Sequence, residues 1–121
     1  MTRKDQRHTL ALELLRRLQA AHQVLKHFRP LAEDHVEQQL VAAHPEEEPW
    51  LVRLALHLHL TSDNYLQSLA HGGARFDLAG DDEGQVTPHT RHHARSLLKH
   101  HRSLRGRGKP GASGSKSADR R

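Results

Sequence analysis

The sequence predicts a mainly α-helical single domain of about five helices with one small β-hairpin, followed by a disordered, basic C-terminal tail. Three observations predict it. Leucines recur at three- and four-residue spacing through the first half of the chain, the pattern of amphipathic helices. One short segment, Ala74 to Leu78, alternates in the manner of a strand before a turn rich in Gly and Asp. Beyond Leu104 the residues RGRGKPGASGSKSADRR lack the apolar content that offsets ordering entropy. A length of 121 residues suits one core with tails, and no internal repeat is present. We bound the domain at residues 10–103, with 1–9 as a flexible N-terminus and 104–121 as a Gly/Ser-rich tail.

The first helix is expected from Gln6 to Lys26, with Leu10, Leu14, Leu18, Ala21 and Leu25 inward and Leu12 and Leu15 broadening the stripe. Arg29-Pro30 marks a boundary, because proline disfavours a helical residue before it and suits a first helical turn. A second helix is therefore expected from Pro30, burying Leu31, Val36, Leu40 and Val41 and fraying at Ala43-His44-Pro45. The acidic run Glu46-Glu47-Glu48 precedes a third helix from Pro49 or Trp50 to Leu60, where negative charge complements the dipole. Its inward stripe is expected to be Leu51, Leu54, Ala55 and Leu58, with Arg53 and His57 opposite. Thr61-Ser62-Asp63 caps a short fourth helix through Tyr65, Leu66 and Leu69, which ends at His71-Gly72-Gly73. Gln85-Val86 pairs back on Ala74 to Leu78, and Thr87-Pro88 opens the last helix, with Ala94, Leu97, Leu98 and His101 toward the core.

The net charge is +5, but residues 99–121 hold eight basic residues against Asp119 alone, so this tail is +7 and the rest of the chain −2. Clustered Lys and Arg on a Gly/Ser-rich tail suit a polyanion tether that releases counterions; a tail that merely keeps the protein soluble fits equally well. Thirteen histidines add charge as pH falls through about 6.5. The absence of cysteine excludes disulfides and thiolate chemistry. No signal-peptide-like or membrane-spanning apolar run occurs, so a soluble, cytoplasmic protein without a membrane partner is expected.

A helix start such as Thr61-Ser62-Asp63 presents unpaired N–H groups suited to a phosphate or terminal hydroxyl, although a simple cap is the commoner role. Tyr65 is the sole tyrosine, one turn beyond, where its hydroxyl can join the cap amides or merely seal the core. Arg75, between Ala74 and Phe76, either pairs with a surface acid such as Asp77 or aims its planar fork at a phosphate. Two Phe, one Trp and one Tyr are too few for binding led by base stacking.

In order, the chain carries Arg29-Pro30-Leu31, Arg53 and His57, Thr61-Ser62, Tyr65-Leu66, Gly72, Arg75, Asp77-Leu78, Gly80, Gly84 and Ala94-Arg95. This order and spacing resembles the ProQ/FinO family of RNA-binding proteins over residues 10 to 103. Tyr65 preceding Arg75 by ten residues, then Asp-Leu-x-Gly, is the most specific part. The resemblance implies a FinO-like domain that acts as a post-transcriptional regulator or RNA chaperone. It implies RNA partners with a terminator-like hairpin and a single-stranded 3′ tail. Tyr65, Leu66, Arg75 and the Thr61-Ser62 helix start would form a 3′-end pocket, with Arg29, Arg53 and His57 on a basic face. Arg102, Arg105, Arg107 and Lys109 are expected to add salt-sensitive contacts. Two departures weaken that face: His57 stands where relatives carry arginine, and Ala32 where lysine is typical.

Rival chemistries are less well supported. His89 and His93 at i, i+4 offer half a metal site without a matching carboxylate or cysteine, so no metal and no cofactor is assigned. No nucleophile elbow or Walker loop occurs, so no catalytic residue and no small-molecule substrate is expected. The alternative function is a small DNA-binding or generic polyanion-binding protein acting through its tail; a recognition-helix pattern for base reading is missing. Nothing in the sequence demands more than a monomer.

Overall fold

The computed structural model describes residues 3–107, with side chains for residues 5–104. These residues form α1 (Arg3–Ala21), α2 (Gln23–Lys26), α3 (Glu33–Ala43), α4 (Pro49–Leu60), α5 (Asp63–His71), β1 (Ala74–Phe76), β2 (Asp82–Gln85) and α6 (Pro88–Arg107). The fold is mainly α with one small antiparallel hairpin, as the sequence predicts, but with six helices among the described residues.

The extra helix comes from a break in the first. His22 is extended (φ −126°, ψ 118°) and gives its N–H to Leu18 O at 2.9 Å, while its carbonyl accepts from Lys26 at 3.0 Å and so starts α2. The bend lets the adjacent residues Val24 and Leu25 both reach the core. α1 begins at Arg3, earlier than Gln6 and inside the segment expected to be flexible. Its buried face is Ala11, Leu14, Leu15 and Leu18, whereas Leu10 and Ala21, expected inside, are exposed. That face packs on α4, where Leu51, Val52, Ala55, Leu56 and His59 are buried and Leu54 and Leu58 only partly so. Each fully buried leucine contributes about 1.5–3 kcal/mol.

α2 ends in a Schellman turn, with Phe28 N–H on Leu25 O (3.2 Å) and Arg29 N–H on Val24 O (3.1 Å). The left-handed position of that turn is held by Phe28 at φ +52°, where glycine is usual. Its ring stacks on His59, with centroids 4.9 Å apart and planes at 8°, which holds the strained backbone in place.

Helix α3 starts at Glu33 rather than Pro30. Phe76 N–H donates to Pro30 O at 2.9 Å and Ala32 N–H donates to Phe76 O at 2.9 Å, so Leu31 bridges β1 in parallel and cannot join a helix. The hairpin pairs Ala74 with Gln85 and Phe76 with Asp82 across a bulge, so β2 starts earlier than expected. Its turn is tied by Asp77 Oδ1, which accepts from Asp81 N–H at 2.9 Å.

Ser62 caps α5 by accepting from Tyr65 N–H, and Gly72 ends it at φ +90°. A Cβ at Gly72 would sit 2.7 Å from Arg91 Cδ, so close packing of α5 on α6 as well as backbone conformation requires glycine there. α6 starts with Thr87 Oγ1 accepting from Thr90 N–H at 3.1 Å and runs three residues past Leu104, the expected limit of order. Ala94 is buried and Leu97 and Leu98 are partly buried, but His101 lies 3.0 Å from Asp63 on α5 instead of facing the core. No described helix is long and apolar enough to cross a membrane.

Candidate functional site

Leu31 is the point on which two of the expected site residues converge. Its N–H donates to the Tyr65 hydroxyl at 3.1 Å, and its carbonyl accepts from Arg75 Nη1 at 2.7 Å. The Tyr65 hydroxyl donates in turn to Glu33 Oε2 at 2.8 Å, and the same oxygen lies 3.9 Å from Arg75 Nη1. Three elements build this corner: α5 supplies Tyr65, β1 supplies Arg75, and the bridge strand running into α3 supplies Leu31 and Glu33.

The corner alters the role expected of Tyr65. The side chain is 0% exposed, and its hydroxyl turns toward Leu31 and Glu33 rather than toward the amides at the start of α5. Burial first, then the Glu33 carboxylate, push the phenol well above its ordinary range, so it stays a protonated donor. A hydroxyl has one proton to give, and here Glu33 takes it.

A cavity of about 380 Å³ opens beside this corner. Its walls include Leu60, Leu66, Leu69, Ala94 and Leu97, and its polar lining is Glu33, His57, Thr61, Arg75, Thr90 and His93. Of the expected residues, His57, Thr61, Leu66 and Arg75 thus meet around one space. Leu66 is 3% exposed and serves as wall, and the Thr61 hydroxyl folds back onto His57 O at 2.9 Å. Ser62 is spent as a cap, donating to His59 O at 2.7 Å and accepting from Tyr65 N–H at 3.3 Å.

The other expected residues stand apart from this lining. Arg53 is exposed on α4 and pairs with Glu37 of α3 at 3.4 Å. Arg29 lies 5.2 Å from the Phe76 ring centroid and lines a second cavity, of about 410 Å³, with Phe28, Ser68, His71 and Gly72. Arg102 is exposed on α6. The side chains of Arg105 and Arg107, and all of Lys109, lie outside the described residues.

Glu33, Thr90 and His93 are lining residues the sequence did not single out for this role. Glu33 showed only as an acid just after Arg29-Pro30-Leu31, and its contact with Tyr65 spans thirty-two residues that no local pattern joins. His93 was visible as half of the His89/His93 pair and beside Ala94-Arg95, not as a lining residue. A different group, His35, Asp77 and Glu83, brings three metal-ligating atoms within 4.8 Å of one another. Asp77 there is already committed to its turn: the Asp81 N–H holds its carboxyl below the usual carboxylate range.

Chemically, the cavity offers a guanidinium, two imidazoles and hydroxyls over an apolar floor, with one carboxylate among them. That mixture suits a sugar–phosphate terminus better than a purely anionic or purely apolar ligand.

A family model described as the ProQ/FINO family matches residues 4–109. The crystal structure of a FinO-like RNA chaperone from Neisseria meningitidis MC58 is similar to this fold, with a TM-score of 0.66 and 32% sequence identity. The match covers 84% of this chain and 88% of that one. No curated protein matches the chain in sequence.

Proposed function

Because the chain belongs to the ProQ/FINO family, we propose that it binds structured RNA and acts as a post-transcriptional regulator or RNA chaperone. Its ligand is a terminator-like hairpin whose single-stranded 3′ tail enters the cavity beside Arg75. The observation that carries this reading is the convergence of His57, Thr61, Leu66 and Arg75 on one cavity, in a chain similar along most of its length to a FinO-like RNA chaperone.

The residues suit that ligand. A-form duplex is recognised through backbone and shape, and a free end differs from internal sequence by its terminal hydroxyls, so few aromatic platforms are needed. Arg53 and Arg29 would follow the stem while His57 stays with the cavity, and the basic residues from Lys99 onward would add salt-sensitive contacts. On this reading the protein works in the cytoplasm, as a monomer, with RNA as its partner and without cofactor or catalytic step.

The test compares a hairpin carrying an oligo-U 3′ tail, the same hairpin cut blunt, and duplex DNA, for the wild type and Arg75→Ala, with folding checked by circular dichroism. We expect the tailed hairpin to bind tightest and its advantage over the blunt form to vanish in the variant. Equal binding of all three nucleic acids by both proteins would replace this reading with a polyanion binder acting through its tail.

A further inference from the structure

We propose that Glu33 is the specificity-determining residue of the cavity: it accepts hydrogen bonds from the terminal ribose 2′ and 3′ hydroxyls and turns away RNA ending in a phosphate. This rests on the reading that an RNA 3′ end enters the cavity.

The argument starts from the hydrogen-bond inventory of the corner. Tyr65 cannot donate to a ligand, because its one proton goes to Glu33 Oε2 at 2.8 Å and its hydroxyl oxygen already accepts from Leu31 N–H. Of the Tyr65–Glu33 pair, the group presented to the cavity is therefore the Glu33 carboxylate, which lines it together with Arg75. Oε2 is held by the phenol, while Oε1 has no hydrogen-bond partner among the described residues. The side chain is 38% accessible, so a ligand can reach it.

An acceptor-only group selects for donors. A cis-diol brings two O–H donors within reach of one carboxylate, the same chemistry by which an acidic residue holds a ribose in dinucleotide-binding folds. A terminal phosphate brings only negative charge and acceptors, and like charges set side by side against a partner are costly. Arg75 does not cancel this. Its Nη1 donates to Leu31 O at 2.7 Å and stays 3.9 Å from Glu33 Oε2, the long limit of an ion pair. The guanidinium remains available to an internal phosphate one step back from the end, so the two side chains divide the terminus: Arg75 takes backbone charge and Glu33 takes the end group.

The experiment measures binding of one tailed hairpin in three forms, ending in a 2′,3′-diol, a 2′,3′-dideoxy sugar or a 3′-phosphate, to the wild type and Glu33→Gln. Glutamine keeps an acceptor for the Tyr65 hydroxyl, so the corner is preserved, and amide exchange at Leu31 checks that it is. We expect the wild type to favour the diol over the phosphate by about tenfold or more. In Glu33→Gln this ratio falls at least fivefold, chiefly because the phosphate-ended RNA binds more tightly. A wild-type preference that persists unchanged in Glu33→Gln overturns the assignment and leaves the cavity as the end site. Indifference of the wild type to all three ends overturns both the assignment and the end pocket. A wild type that binds none of them rejects the RNA reading itself.

Discussion

Replacing His59 tests how the core of this domain responds to acid. The ring is 0% exposed, its Nδ1 lies 3.2 Å from Gln19 Nε2, it packs against Phe28 and Tyr65, and its Nε2 has no partner among the described residues. Burial drives its pKa down from 6.5 to about 4. In the unfolded chain the same ring protonates near 6.5, so between these values the unfolded state binds more protons and stability falls as pH falls. At about pH 4.5 this one histidine removes about 2.5 kcal/mol of folding stability, against less than about 0.1 kcal/mol at about pH 7.5. Leucine has nearly the same volume and does not titrate. Urea unfolding of wild type and His59→Leu at both pH values separates this term from the rest of the pH response, which the two proteins share. The wild-type midpoint should drop by about 1–2 M more than that of the variant. If both proteins lose the same stability between the two pH values, His59 is not held neutral by burial and the reasoning fails.

Tyr65→Phe keeps the ring but strands the buried Leu31 N–H, and should cost about 1–3 kcal/mol in chemical denaturation. Gly72→Ala meets both a backbone at φ +90° and Arg91 Cδ at 2.7 Å, and should lower the melting temperature by several degrees, roughly 1–2 kcal/mol. Deleting residues 106–121 should flatten the dependence of RNA affinity on salt by about one unit of slope or more, and an unchanged slope would remove the tail from the binding account. Glu37→Gln releases Arg53 from its ion pair and should tighten binding of the hairpin stem by a few-fold, measured by filter binding at low salt.

The fold was legible wherever a local signal was sufficient. Pro49 after three acids, Ser62 before Asp63 and Thr87 before Pro88 each mark a helix start by chemistry confined to one turn, and each appears in place. The inward faces were read less well. Leu10 fits the periodic stripe yet lies outside, because the buried face of α1 is the one that carries Ala11, Leu14, Leu15 and Leu18. Leu31 was assigned to a helix by its neighbour Pro30, and only the pairing with Phe76, forty-five residues away, makes it a strand. The site shows the same division. The types and spacing of Tyr65, Arg75, Thr61 and His57 were readable, but not that Tyr65 would spend its hydroxyl on Glu33, since only the tertiary fold brings the first residue of α3 to α5.

The backbone of Leu31 has a practical use that follows from its position. Its N–H is held by the buried Tyr65 phenol and its carbonyl by the Arg75 guanidinium, which lines the cavity. Whatever enters and shifts Tyr65, Glu33 or Arg75 must change the magnetic surroundings of that amide. A single cross-peak in a nitrogen–proton spectrum of the unaltered protein thus serves as an occupancy gauge, needing neither dye nor substitution at the site.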